Sequence, residues 1–142
     1  MITFELVTLQ GIKFSGDVWE IVLPTPDGLI AVFPHHMPLV SLAIPGVISI
    51  RKNQNDSDEK LEHFATHGGV IEVNGKRVRV LVDEADEPDE ISEQVALEAL
   101  NRAQEMAKNA KDSVSLEQAH SLIQRHRSQL KVAELRRRKI RQ

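Results

Sequence analysis

The chain changes character once, near Ala85, and that change restricts it to folds with a β half followed by a helical half. Before Ala85, β-branched residues and turn signals dominate. After it come Ala, Leu, Glu, Gln, Lys and Arg, with no Gly and a single Pro, Pro88. In the first half Ile2, Phe4 and Leu6 alternate with polar or smaller residues, as in a half-buried strand. Gln10-Gly11 reads as a turn. Residues 17–23 form a second run, closed by Pro24-Thr25-Pro26-Asp27-Gly28, a strong turn signal. A short apolar run over 29–33 stops at Pro34. Pro45-Gly46 precedes Val47-Ile48-Ser49-Ile50-Arg51, and 53–60 is a polar loop. Gly68-Gly69 marks a bulge or tight bend.

Asn74-Gly75 reads as the centre of a type I′ hairpin. That register sets Val73 opposite Lys76, Glu72 opposite Arg77 and Ile71 opposite Val78. An opposite-charge pair then lies on one face and an aliphatic pair on the other, each contributing roughly 0.2–1 kcal/mol. Many short strands with frequent turns predict a sandwich or flattened barrel over 1–85. Aromatics make up only 4% and Tyr is absent, so the core must be aliphatic.

The acidic, Pro-containing segment 86–90 reads as a solvated linker. Its spacing lacks the Gly and terminal Glu of a calcium loop. A helical pair is predicted over 91–142. The first helix starts near 89 or 92 and ends at 108, with Ile91, Val95, Ala99, Ala103 and Ala107 in one stripe four residues apart. Ser115 with Gln118 three residues on reads as a capping box for the second. There Leu116, Ala119, Ile123, His126, Leu130 and Ala133 form the facing stripe. Two such helices joined by a short connection make an antiparallel hairpin. An Ala seam buries little area and holds less strongly than one of Leu and Ile.

Charge is distributed as unevenly as structure. The last eighteen residues hold eight basic side chains, Arg125, Arg127, Lys131, Arg136, Arg137, Arg138, Lys139 and Arg141, against one acid, Glu134. That end carries +7 and the remainder −10, which the net −3 conceals. A helix C-terminus favours one or two cations, not eight, so an acidic partner is expected, protein or nucleic acid. The tail lacks aromatics for base stacking, and the acidic body repels a polyanion. A nucleic-acid module with a basic helical arm is therefore the second reading. It predicts steeply salt-dependent binding by the isolated chain.

Enzyme and metal chemistry find little support. Without cysteines there are no disulfides, thiol nucleophiles or thiolate sites. His35-His36 point to opposite faces of an extended chain. His63 and His67, four apart on a strand, stand about 13 Å from each other, too far to share an ion. No metal is expected. Ser41, His36 and Asp83 lack the spacing of a nucleophile elbow. Gly68-Gly69 and Asn74-Gly75 lack a phosphate-loop ending. His126 is read as a seam histidine. No apolar run approaches the roughly 20 residues of a transmembrane helix. Met1-Ile2-Thr3-Phe4-Glu5 has no signal character, so a cytoplasmic home is expected.

A series of segments then carries a resemblance. Leu23-Pro24-Thr25-Pro26-Asp27-Gly28, Phe33-Pro34-His35-His36-Met37-Pro38-Leu39-Val40, Pro45-Gly46-Val47-Ile48-Ser49-Ile50-Arg51, Gly68-Gly69-Val70-Ile71-Glu72-Val73, the strand over 78–85 and Gln129-Leu130-Lys131-Val132-Ala133-Glu134-Leu135 follow in order across both halves. Together they resemble the epsilon subunit of F-type ATP synthase, of the bacterial type, over essentially the whole chain.

The resemblance implies a β-sandwich of about ten strands, a helical hairpin and a non-catalytic rotor subunit. Its partners would be the gamma subunit and the c-subunit ring. It would lie peripherally at the cytoplasmic face of the bacterial plasma membrane. By position, His36, Pro38 and Leu39 would face gamma, and Asp27-Gly28 would lie toward the ring. Leu29 stands where the family tends to carry an acid. The hairpin would extend toward the catalytic beta and alpha subunits and inhibit hydrolysis, with Arg125, Arg127, Lys131, Arg136, Arg137 and Arg138 reaching an acidic segment of beta. Some members bind ATP through Ile-Asp-x-x-Arg-Ala. Here that stretch is Ile91-Ser92-Glu93-Gln94-Val95-Ala96, with Arg102 at a further basic position. Ser and Val replace the Asp and Arg, so weak or absent ATP binding and no cofactor are expected.

Overall fold

The computed structural model of the chain describes residues 1–87 and 91–141, the last three of these by backbone alone. Eight strands are present among them: β1 (Ile2–Thr8), β2 (Gly11–Val18), β3 (Glu20–Thr25), β4 (Gly28–Val32), β5 (Leu39–Arg51), β6 (Glu62–Val73), β7 (Arg77–Val82) and β8 (Ala85–Asp86). Two helices follow, α1 (Glu93–Lys108) and α2 (Ser113–Arg141). The strands run in the order β2-β1-β7-β6-β5-β3-β4, with β8 on β6, and only the β1–β7 pair is parallel.

The sheet makes a two-layered sandwich because its two longest strands belong to both layers. The start of β5 and the end of β6 lie with β7, β1 and β2. The other ends lie with β3, β4 and β8. Strands change layer where the backbone bends sharply, here at Pro45-Gly46 and Gly68-Gly69. Gly68 has φ +104°, a region that favours glycine. The expected bend is present, without a register shift: Ala43 pairs with Gly69 and Pro45 with His67 in one continuous alignment. Because each long strand serves both layers, the count is eight rather than about ten.

The run over 17–23 is likewise divided at a change of layer. It breaks at Trp19, whose N–H donates to Arg51 O at 2.8 Å. The β6–β7 turn differs from the expected I′ form. Val73 pairs with Val78, Glu72 with Arg79 and Ile71 with Val80. Gly75 has φ +89°, whereas among the described residues the only non-glycine with positive φ is His35. The Asn74 N–H donates to Arg77 O at 3.0 Å, so the turn is centred on Gly75-Lys76. Positive φ is present at its first residue alone, whereas a I′ turn needs it at both. Asn74 instead flanks it, its Oδ1 accepting from the N–H groups of Lys76 and Arg77. A shift of two in pairing preserves the faces. Glu72 therefore still meets an Arg, and Ile71 still meets a Val.

The core is aliphatic as composition requires. Ile2, Leu6, Ile21, Leu23, Ile48, Ile50, Ile71 and Val80 are wholly or almost wholly buried around Phe4 and Phe64. The buried core cluster runs from Ile2 to Ala85 and contains no residue of α1 or α2. Among the described residues, no helix is long and apolar enough to cross a membrane.

The helices pack on each other mostly through small residues, Ala96 and Ala103 from α1 and Ala119 and Ala133 from α2, with the larger Ile123 between the last two. The α1 stripe is rotated from the expected one, leaving Val95 exposed and burying Ala96. At the start of α2, Asp112 takes the capping role assigned to Ser115. Its Oδ1 accepts from the Ser115 N–H at 2.7 Å and its carbonyl from the Leu116 N–H. A carboxylate caps as a hydroxyl does and adds a negative charge at the positive end of the helix. A second buried pair, Ser128 and Val132, lies on the opposite side of α2, against β5 and β6.

Candidate partner-binding surfaces

One layer carries an apolar row on its outer side. Leu42 pairs with Val70, Val70 with Leu81, and Leu81 with Val7, so four side chains cross β5, β6, β7 and β1 on one face. Four strands span about 14 Å. Val40 is 74% exposed and Leu42 61%, and Ile44 extends the row along β5. A contiguous exposed apolar face of this kind is a candidate for protein binding. Its sequence signal is the absence of alternation in Leu39-Val40-Ser41-Leu42-Ala43-Ile44. One apolar face of β5 packs into the core, and the other, with Val40, Leu42 and Ile44, is exposed.

The segment before β5 borders this face. His35 has φ 67°, and its N–H donates to Gly75 O at 3.2 Å. The Nδ1–H of His36 donates to Met37 O at 2.7 Å, which fixes the ring. Pro38 is exposed, whereas Leu39 packs against the core. Of the expected gamma contacts, His36 and Pro38 are therefore presented outward, and Val40 is the outward neighbour of Leu39.

The β3–β4 turn is tied by the Thr25 hydroxyl, which donates to Gly28 O at 2.6 Å, and Gly28 has φ +116°. Asp27 is exposed at the tip and Leu29 is 71% exposed beside it. The tip therefore offers one acid and one aliphatic side chain.

The cations of α2 are partly engaged within the chain. Arg125 pairs with Glu84, Arg137 with Glu93 at 3.0 Å, and Arg138 with Glu134 at 2.6 Å, with Lys131 at 4.0 Å from Glu134. Arg127 and Arg136 are exposed. Arg127, Lys131, Arg137, Leu97, Glu93 and Glu134 line a groove of ≈ 350 Å³ between the helices. Lys139 and Arg141 lie outside the residues whose side chains are described.

Asp86, expected in the linker, is the second residue of β8, and its carboxylate joins the two halves. Asp86 Oδ2 accepts from His67 Nε2–H at 3.1 Å and from Gln129 Nε2–H at 2.9 Å. The bond from His67 holds the Asp86 carboxyl below the usual carboxylate range, helped by Gln129 and by the Arg125 charge, against the opposing effect of burial. No sequence pattern announces this contact. Pro88 falls outside the described residues.

The residues of the altered nucleotide motif are not gathered into a site. Ser92 caps α1, its Oγ accepting from the Val95 N–H at 3.4 Å. Arg102 lies ten residues along the helix, about 15 Å away by helical rise, and borders the connection to α2. Among the described residues no group of three or more His, Asp or Glu side chains is arranged to hold a metal ion. His63 bonds Ser49, while His67 faces Asp86.

Comparison with known proteins accounts for this arrangement. Residues 1–88 match the family described as ATP synthase, Delta/Epsilon chain, beta-sandwich domain. The ATP synthase epsilon chain of Sulfurihydrogenibium sp. is 36% identical, over 91% of this chain and 92% of that protein. That of Chloroflexus aggregans is 33% identical over 99% and 98%. The chain belongs to the ATP synthase epsilon-chain family. The fold agrees: a chain of the Euglena gracilis mitochondrial ATP synthase, solved as OSCP/F1/c-ring, superposes with TM-score 0.80 at 21% identity, covering 94% of this chain and 81% of that one. As an epsilon chain it is a subunit of an enzyme complex, and the two relatives extend through its helical half as well as its sandwich.

Proposed function

We propose that this epsilon chain is a non-catalytic rotor subunit that couples the gamma subunit to the c-ring and restrains ATP hydrolysis through its hairpin. The single observation that carries the reading is the row Leu42–Val70–Leu81–Val7, an apolar face left open on an otherwise closed sandwich. Gamma covers that face, with His36 and Pro38 at its border. The Asp27-Gly28 turn lies toward the ring, where Leu29 replaces a polar contact with an aliphatic one. The location is peripheral, at the cytoplasmic face of a bacterial plasma membrane, with membrane contact made only through the complex.

The hairpin is regulatory in this reading. Its own seam is mostly Ala, and it adds nothing to the sandwich core, so undocking leaves the head intact. Released, α2 presents Arg125, Arg127, Lys131, Arg136, Arg137 and Arg138 to an acidic segment of the beta subunit and to alpha. Two states a few kcal/mol apart suffice for such a switch. ATP binding to the hairpin is weak or absent, since Val95 supplies no charge and the Ser92 hydroxyl is already a cap. Calorimetry giving a dissociation constant below about 10 μM would overturn that point.

Leu42→Asp and Val70→Asp test the central claim. Both substitutions put a charge on an already exposed site, so the isolated chain keeps its fold by circular dichroism while co-purification with gamma is lost. Retention of gamma by the double variant would remove the apolar face from the interface.

A further inference from the structure

We propose that Asp86 is the central acceptor of a polar latch that holds α2 against the sandwich. The geometry has two points of attachment one helical turn apart on α2. At the first, Arg125 pairs with Glu84; at the second, Gln129 donates to Asp86. Asp86 ends β8, the short strand on the edge of β6, and Glu84 immediately precedes that strand. Asp86 is in turn held from the sandwich side by His67, whose side chain is only 10% exposed.

Chemistry orders the protons along this chain of groups. A carboxylate only accepts, so His67 carries its proton on Nε2 and Gln129 turns its amide nitrogen toward Asp86. The amide oxygen of Gln129 then faces His126 Nδ1 at 3.0 Å and accepts from it. His67, Asp86, Gln129 and His126 form one continuous series from β6 to α2. Loss of Asp86 would strand His67, because its Nδ1 already has no partner among the described residues. A half-broken polar series costs more than its separate bonds, which makes release close to all-or-none.

Apolar packing supplies little in competition. The face of α2 toward the sandwich buries Ser128 and Val132, and the Ser128 hydroxyl is spent on Gln124 O of its own helix. An open cleft of ≈ 300 Å³ remains between Ile44 and Pro45 on one side and Gln124, Arg127 and Ser128 on the other. A seam of this kind leaves register and hold to the polar contacts. Titratable and charged groups facing the latch are His67 from β6, Arg125 and His126 from α2, and Glu84 beside it, with Lys13 and Asp83 bordering the same recess.

The latch stands on the docked geometry; its effect on hydrolysis rests on the inhibitory role proposed above. The full chain has no cysteine, so Lys76→Cys and Glu117→Cys can carry a pair of spin labels at exposed sites on head and hairpin. Pulsed dipolar spectroscopy then reads docked and undocked populations. Gln129→Glu, which sets a second carboxylate against Asp86, and Asp86→Ala should each raise the undocked-to-docked ratio at least about tenfold, as loss of a hydrogen bond to a charged group implies. Gln129→Glu should redock as acid protonates one of the facing carboxyls, a response that simple loss of packing would lack. Gln129→Glu also leaves β8 untouched, so it decides the matter if Asp86→Ala disturbs the head. An unchanged distance distribution in Gln129→Glu overturns the latch. A shifted distribution with unaltered hydrolysis by the reconstituted complex upholds the latch and removes the inhibitory role instead.

Discussion

At residue 69 the fold depends on a missing side chain. A Cβ there would run into Leu81 O and come within 2.8 Å of Val82 Cγ1, because β6 and β7 approach closely where the long strand turns between layers. Gly69→Ala should therefore destabilise the head by about 1–3 kcal/mol, the range for overpacking a filled site, measured by thermal denaturation. Asp86 illustrates the electrostatic side of the same scale. Its folded-state pKa is lowered, so its contribution is complete above the usual carboxylate range and is lost as pH falls through the lowered value. His67→Ala removes the leading cause, and the Asp86 midpoint followed by carboxyl NMR should move upward. A midpoint that stays in place would mean that His67 is a neighbour and not the partner.

Elements here are defined by their ends as much as by their periodicity. Asp112 caps α2 while the Ser115 N–H donates to it, and that bond lowers the Asp112 pKa. Asp112→Ala should speed amide exchange in the first turn of α2 while leaving the sandwich unaffected. The same loosening should appear in the wild type once pH falls through the lowered Asp112 value. Unchanged exchange would return the capping role to Ser115. Element type was legible from patterning: alternation at Ile2, Phe4 and Leu6, and small residues at helical spacing after Ser92. The turn centre at Gly75-Lys76 was not. Asn74-Gly75 satisfies the local preference for one turn, but pairing of β7 with both β6 and β1 selects another.

At the scale of the whole molecule, head and hairpin are separately built. The aliphatic core closes within 2–85, and α2 meets the head through buried Ser128 and Val132 and through the polar pairs Arg125–Glu84 and Gln129–Asp86. Removing residues 89–142 should leave a head that melts cooperatively and assembles with gamma, while ATP hydrolysis by the complex rises. Reversing charge at Arg136, Arg137 and Arg138 should relieve inhibition in part. Unaltered inhibition in that variant would sink the electrostatic account of the extended state.

The chain's own order of residues determined the β-then-α architecture, the aliphatic core and the cationic end, since each follows from composition, period and short-range turn chemistry. Membership of the epsilon family was readable too, because it rests on an ordered series of segments. Tertiary structure alone decided that Leu39 turns inward while Leu42, Val70, Leu81 and Val7 line up across four strands, and that Asp86 leaves the acidic run to join His67 and Gln129. Those outcomes depend on register and on contacts between residues tens of positions apart. Such distances are set by how the whole sheet folds over on itself, which no local pattern of side chains encodes.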